Sequence, residues 1–210
     1  MNVFQSGEKG ARIVLLRAAG DHDLKESDTI IRGVREQTGE DVCLYSLKVR
    51  NWNTDLSPWE APPVFGSEGF GGGAGETLKD FLELCRDDGR SYYIGGYSLS
   101  GLFALWAAYQ TDLFAGVAAA SPSVWFPGFT DYMREHEMRS KTVYLSLGDK
   151  EEKSSNPVMA RVGDCIREGC ELLKGQGVDC ILEWNQGGHF KDAGIRTATA
   201  FAKAVSRSMG

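Results

Sequence analysis

Six short runs rich in β-branched and aromatic residues, each followed by a stretch with helical spacing, constrain this chain more than any other feature. The spacing predicts strands over 12–18, 42–49, 91–96, 114–120, 141–148 and 179–185. Helices are expected between and after them, at about 25–37, 76–88, 99–110, 129–138, 157–175 and 192–207. Such alternation means βαβ units. Near-continuous apolar strands such as RIVLL, residues 12–16, fit a sheet covered on both faces. The expected fold is therefore α/β: a doubly wound, mostly parallel sheet with helices on both faces. Asn156 followed by Pro157 reads as a helix start, and Asp192 as the cap of the last helix. At 210 residues and 42% hydrophobic composition the chain is long enough for one core and short for two, so a single domain over 1–210 is expected. There is no internal repeat or low-complexity tract.

In open parallel sheets, ligands bind beyond the carboxyl ends of the strands, so the chemistry is expected at the strand exits. The exit in SYYIGGYSLSGLFALWAAYQ, residues 91–110, turns a strand directly into a buried helix through a serine, Ser98. A turn that sharp strains the middle residue and needs small side chains two before and two after it, here Gly96 and Ser100. It also lifts the hydroxyl clear of the sheet and leaves N–H groups free at the helix start. The competing reading is a plain strand–Gly-Gly–helix junction with an incidental serine.

A serine hydroxyl needs a base within hydrogen-bond reach, and the base needs an orienting acid. Of three histidines, His189 in EWNQGGHF follows the last strand and is the candidate base. His136 lies among charges and reads as a surface residue; His22, also at a strand exit, is a secondary candidate for binding or for holding a loop. YLSLGDKEEK supplies the acid. Glu151, three residues after the strand-ending Gly148, is preferred, with Asp149 and Glu152 as alternatives. An oxyanion would bind the N–H of Leu99, with a second donor from Gly20 or Asp21 after the first strand.

Taken in order, GGYSLSGLFALWA, AAASPSVWF, YLSLGDKEE and GGHF resemble the esterases of the α/β-hydrolase superfamily, in particular the enterochelin-esterase and esterase D types. The resemblance runs from Ile13 to the end of the chain and implies the order Ser98, Glu151, His189. It also implies that SPSVW, residues 121–125, helps to wall the active site. Members of the family commonly have glycine where Ser100 stands, and often carry extra amino-terminal strands or a cap, for which this chain has little room; a compact form without a large cap is expected.

The segment 51–76 is long, rich in Gly, Pro and Trp, and structureless by pattern, which marks a functional loop. Trp52 and Trp59 within it, and Trp125 beyond it, are candidate pocket residues, each equally readable as packing. Gly69, Gly71 and Ala74 match a dinucleotide fingerprint, but Pro58, Pro62 and Pro63 precede them where a strand should, so nucleotide binding is a distant alternative.

A formal net charge of −6 gives no footprint for nucleic acid or an anionic membrane. Five scattered cysteines without a Cys-x-x-Cys pair read as reduced thiols. No targeting segment is evident and no run reaches the ~18 apolar residues of a membrane span, so a cytoplasmic location is expected. The expected activity is hydrolysis of a small carboxylic ester through an acyl-enzyme, with no metal or cofactor. An acyltransferase, a peptidase-like hydrolase, or a non-catalytic binding protein on the same fold are the alternatives.

Overall fold

In the computed structural model, which describes residues 2–86 and 88–209, the strands are β1 (Asn2–Gly7), β2 (Ile13–Ala19), β3 (Val42–Lys48), β4 (Glu60–Ala61), β5 (Phe70–Gly71), β6 (Ser91–Tyr97), β7 (Phe114–Ala120), β8 (Thr142–Gly148) and β9 (Asp179–Asn185). The helices are α1 (Asp21–Leu24), α2 (Ser27–Thr38), α3 (Trp52–Asp55), α4 (Ala74–Leu82), α5 (Leu99–Gln110), α6 (Phe129–Glu135), α7 (Val162–Gly175) and α8 (Ala193–Ser208). Seven strands form one sheet in the order β1-β3-β2-β6-β7-β8-β9. All neighbours run parallel except β1, which pairs antiparallel with β3.

The alternation of side chains along β2 divides the core. Ile13 and Leu15 join Ile30 and Val34 of α2, Tyr93, and Phe201 of α8 on one face. Val14 and Leu16 join Phe81, Leu102, Phe103, Ile166 and Leu173 on the other. Each fully buried Leu or Phe there stabilises the fold by about 1.5–3 kcal/mol. Helix α5 is apolar all round because it is central, with ten of its twelve residues buried. Gly33 lets α2 approach α8 closely: a Cβ there would stand 2.7 Å from that of Ala198.

Several expectations need correction. Strand β1 was not anticipated; its residues are nearly all exposed and carry no apolar alternation. Segment 51–76 is not structureless, since it contains α3 and the paired β4 and β5. Helix α7 begins at Val162 rather than at 157. Asn156 does accept from the N–H groups of Val158 and Met159, but its amide also donates to Val64 O at 2.7 Å, and the chain passes through a 3-10 turn, Met159–Arg161, before the α-helix starts. Asp192 stands at the expected boundary of α8 in a left-handed conformation, φ 55°, and its side chain makes no cap. Helices α4 and α6 stop earlier than expected, at Leu82 and Glu135. Among the described residues, no helix is long and apolar enough to cross a membrane.

Candidate active site

The turn between β6 and α5 holds Ser98 at φ 56°, ψ −122°, a conformation that costs an L-residue about 1–3 kcal/mol. Its backbone is tied down on both sides: Ser98 N–H donates to Ala120 O at 3.2 Å, and Ser98 O accepts from Leu102 and Ser123 at 3.0 and 3.1 Å. Gly96 must lack a side chain, because a Cβ there would meet Ser100 Oγ at 2.1 Å. Ser100 fits where a glycine was expected by donating its hydroxyl to Ala18 O at 2.9 Å, which fastens the turn to the end of β2. Leu99 opens α5, so its N–H has no carbonyl four residues back inside the helix.

The structure brings Ser98, His189 and Glu151 into one hydrogen-bonded row. Ser98 Oγ lies 3.0 Å from His189 Nε2, and His189 Nδ1 lies 2.6 Å from Glu151 Oε2. Burial pushes the Glu151 carboxyl up, but hydrogen bonds from His189 and from Ser121 and Gly148, with the attraction of His189, outweigh it and leave the group below its ordinary value. An ionised carboxylate only accepts, so His189 Nδ1 is the donor in this contact and Nε2 is the ring nitrogen that faces the serine hydroxyl. The alternative acids point elsewhere: Asp149 Oδ1 accepts from Gly187 N–H at 2.8 Å, and Glu152 pairs with Arg167 at 2.8 Å.

Segment 121–125, Gly148, and two residues not singled out from the sequence, Tyr97 and Arg196, complete the setting. Ser121, at φ 44°, donates to Glu151 Oε1 at 2.7 Å, as does Gly148 N–H. Arg196 reaches the same oxygen at 3.2 Å from α8. Tyr97 donates to His189 O at 2.6 Å, and Ser123 Oγ lies 3.4 Å from Ser98 Oγ. The strain at Ser98 is legible in its small flanks, Gly96 and Ser100; Ser121 has small residues at the same spacing, Ala119 and Ser123, but no glycine to mark it.

Beside the row is a cavity of ≈ 390 Å³ whose walls are mostly apolar: Trp52, Phe65, Phe70, Leu99, Trp125, Met159 and Phe190, with Ser98, Ser123 and His189 at its polar end. Trp52 and Trp125 are thus placed as pocket walls. Trp59 is not; its indole N–H donates to Pro127 O at 3.0 Å and its ring packs on Phe126, Phe129 and Tyr132, so the loop uses it for packing. Gly20 and Asp21 line an adjoining cleft with Lys48 and Arg50 that shares Trp52 with the cavity. Gly20 N–H donates to Asp23 Oδ2 at 2.7 Å, and the Asp21 carboxylate pairs with Lys48. His22 faces a small recess with Arg17 and Asp23, and His136 stacks on Tyr132 at the surface. Gly71 packs against Thr54, where a Cβ would meet the side chain at 2.6 Å, and Ala74 is fully buried, so the fingerprint-like residues are used for packing.

No family model and no curated protein sequence matches the chain. Solved structures do. An IroE-like serine hydrolase from Shewanella oneidensis superposes with a TM-score of 0.71 at 16% identity, over 96% of this chain and 74% of that one. The siderophore hydrolase EstA from Aspergillus nidulans gives 0.67 at 19% identity, over 99% and 89%. The enterobactin esterase FES from Shigella flexneri gives 0.65 at 14% identity over 96% of this chain, which spans only 54% of that larger one. These likenesses establish the α/β-hydrolase fold, in a form carried by serine hydrolases and esterases.

Proposed function

We propose that this α/β-hydrolase-fold protein is a serine esterase acting on small esters with an aromatic or otherwise apolar group. The single observation that carries the reading is the continuous row from Ser98 Oγ through the His189 ring to Glu151, at 3.0 and 2.6 Å, beside an apolar cavity. Ser98 Oγ attacks the ester carbonyl carbon while its proton passes to His189 Nε2. Glu151 holds the imidazolium by accepting from Nδ1. The oxyanion takes the Leu99 N–H and a second donor at the exit of β2. Gly20 N–H is engaged by Asp23, which leaves Asp21 N–H as the proposed donor of the two. As the tetrahedral intermediate collapses, the C–O bond to the alcohol breaks and the alkoxide takes the proton from Nε2. Water, deprotonated by the same nitrogen, then attacks the acyl-Ser98 ester and releases the acid with Ser98 restored.

The aromatic walls support an aromatic substrate class, and so does likeness to an enterobactin esterase solved in the presence of 2,3-dihydroxy-N-benzoyl-glycine. Purified protein and a Ser98→Ala variant would be compared on aryl acetates and on alkyl esters of aromatic acids. Loss of turnover by a factor on the order of 10⁴ or more is expected in the variant, together with a fluorophosphonate adduct mapped to Ser98 in the parent. Undiminished hydrolysis by the variant would overturn the reading.

A further inference from the structure

Arg196 is 4% exposed, in the first turn of α8, and its guanidinium meets three loops and the end of β6. One nitrogen reaches Glu151 Oε1 at 3.2 Å, the Tyr97 hydroxyl at 3.1 Å and Ser121 Oγ at 3.4 Å; the other donates to Gln186 O at 3.1 Å. Those partners follow β8, end β6, follow β7 and follow β9, the strands whose exits also carry Glu151, Ser98 and His189. Tyr97 in turn donates to the main-chain oxygen of His189, so the arginine holds the histidine loop at two points, directly through Gln186 and indirectly through Tyr97.

We infer that Arg196 is a positioning residue for the Glu151–His189 pair, an inference that rests on the esterase reading for its kinetic consequence but not for its structural one. The carboxylate of Glu151 has two oxygens. Gly148, Ser121 and Arg196 all engage Oε1, which leaves Oε2 to His189 and prevents the carboxylate from turning. A buried ion pair adds little stability over well-packed apolar side chains of the same volume, so stability alone does not account for a charged side chain here.

The charge has a second effect. The groups facing the pair are Arg196 from α8, the Tyr97 hydroxyl from β6 and Ser121 from the β7 exit, while Asp149 and Lys191 on the neighbouring loops turn toward Gly187 instead. Removing the buried Arg196 cation leaves the carboxylate's field at the imidazole unopposed, which favours the charged ring in the variant.

The test compares Arg196→Met, Arg196→Lys and Tyr97→Phe with the parent. For Arg196→Met the expected results are a fall in kcat of about ten- to a hundredfold with KM for an aryl acetate little changed, and an acid limb of kcat/KM displaced to higher pH. The low-field proton resonance of His189 Nδ1 should shift or broaden as well. Arg196→Lys, which keeps the charge but cannot reach all four partners, should restore the acid limb more than kcat. Should Arg196→Met fail to fold, kcat and the Nδ1 resonance of Arg196→Lys and Tyr97→Phe carry the test. In folded Arg196→Met an acid limb and Nδ1 resonance both unchanged, or in its absence a kcat and Nδ1 resonance unchanged in the other two, would overturn the assignment. Absence of Ser98-dependent turnover in the parent would instead overturn the esterase reading, and the resonance would still decide the role of Arg196.

Discussion

Gly96 and Ser100 are coupled so tightly that one explains the other. A Cβ at position 96 would sit 2.1 Å from Ser100 Oγ, 2.7 Å from its Cβ and 2.9 Å from its backbone carbon. Gly96→Ala should therefore destabilise the protein by about 1–3 kcal/mol in urea unfolding. Adding Ser100→Gly should recover part of that loss, because two of the three close atoms disappear and the backbone one remains. Strict additivity of the two changes would show that the contact is not the cause. At this scale the sequence was legible wherever a residue type is rare or its neighbours are constrained. Ser98 was marked by its small flanks, His189 by the glycine pair before it, and Glu151 by its distance from Gly148. Arg196 gave no such signal, since an arginine in an amphipathic helix reads as a surface charge until the fold turns it inward. Trp59 was ambiguous for a related reason: an indole in a loop can satisfy its N–H on a backbone carbonyl as easily as it can face a ligand, and here it uses Pro127.

Among the elements, the central strands could be read because burial on both faces makes them continuously apolar. Strand β9 was found with its boundaries intact, 179–185. Strand β1 escaped because it lies at the sheet edge, bonded only to β3 and exposed along most of its length. The short α3, β4 and β5 escaped because elements of two to four residues have no period to detect, and tertiary contacts such as Thr77 Oγ1 to Asp55 O at 2.6 Å hold them. The opposite edge matters for stability of the site. Among the described residues β9 bonds only to β8, and the loop carrying His189 follows it directly. Local opening at such an edge requires less free energy than global unfolding. Ser98-dependent turnover is thus expected to decline at lower urea concentration than the far-UV circular dichroism signal. Coincident curves would mean that the His189 loop unfolds only with the whole sheet.

Across the whole molecule, the proposed site joins pieces from the exits of β6, β7, β8 and β9, so occupying it fastens four loops at once. Phenylboronic acid, whose boron accepts a serine oxygen to form a tetrahedral adduct, should raise the melting temperature. At a hundred times Kd the gain is about 2.7 kcal/mol, or roughly 5–10 °C for a chain of this length. No shift is expected in Ser98→Ala, and an equal shift there would place the ligand elsewhere. The backbone at Ser98 has a final implication for how such a protein changes over generations. At φ 56° glycine would be the easier occupant, so the one replacement that relieves the strain, Ser98→Gly, also removes the hydroxyl. Any other residue there keeps the strain, so a steadier protein is reached from this one only by giving up the side chain altogether.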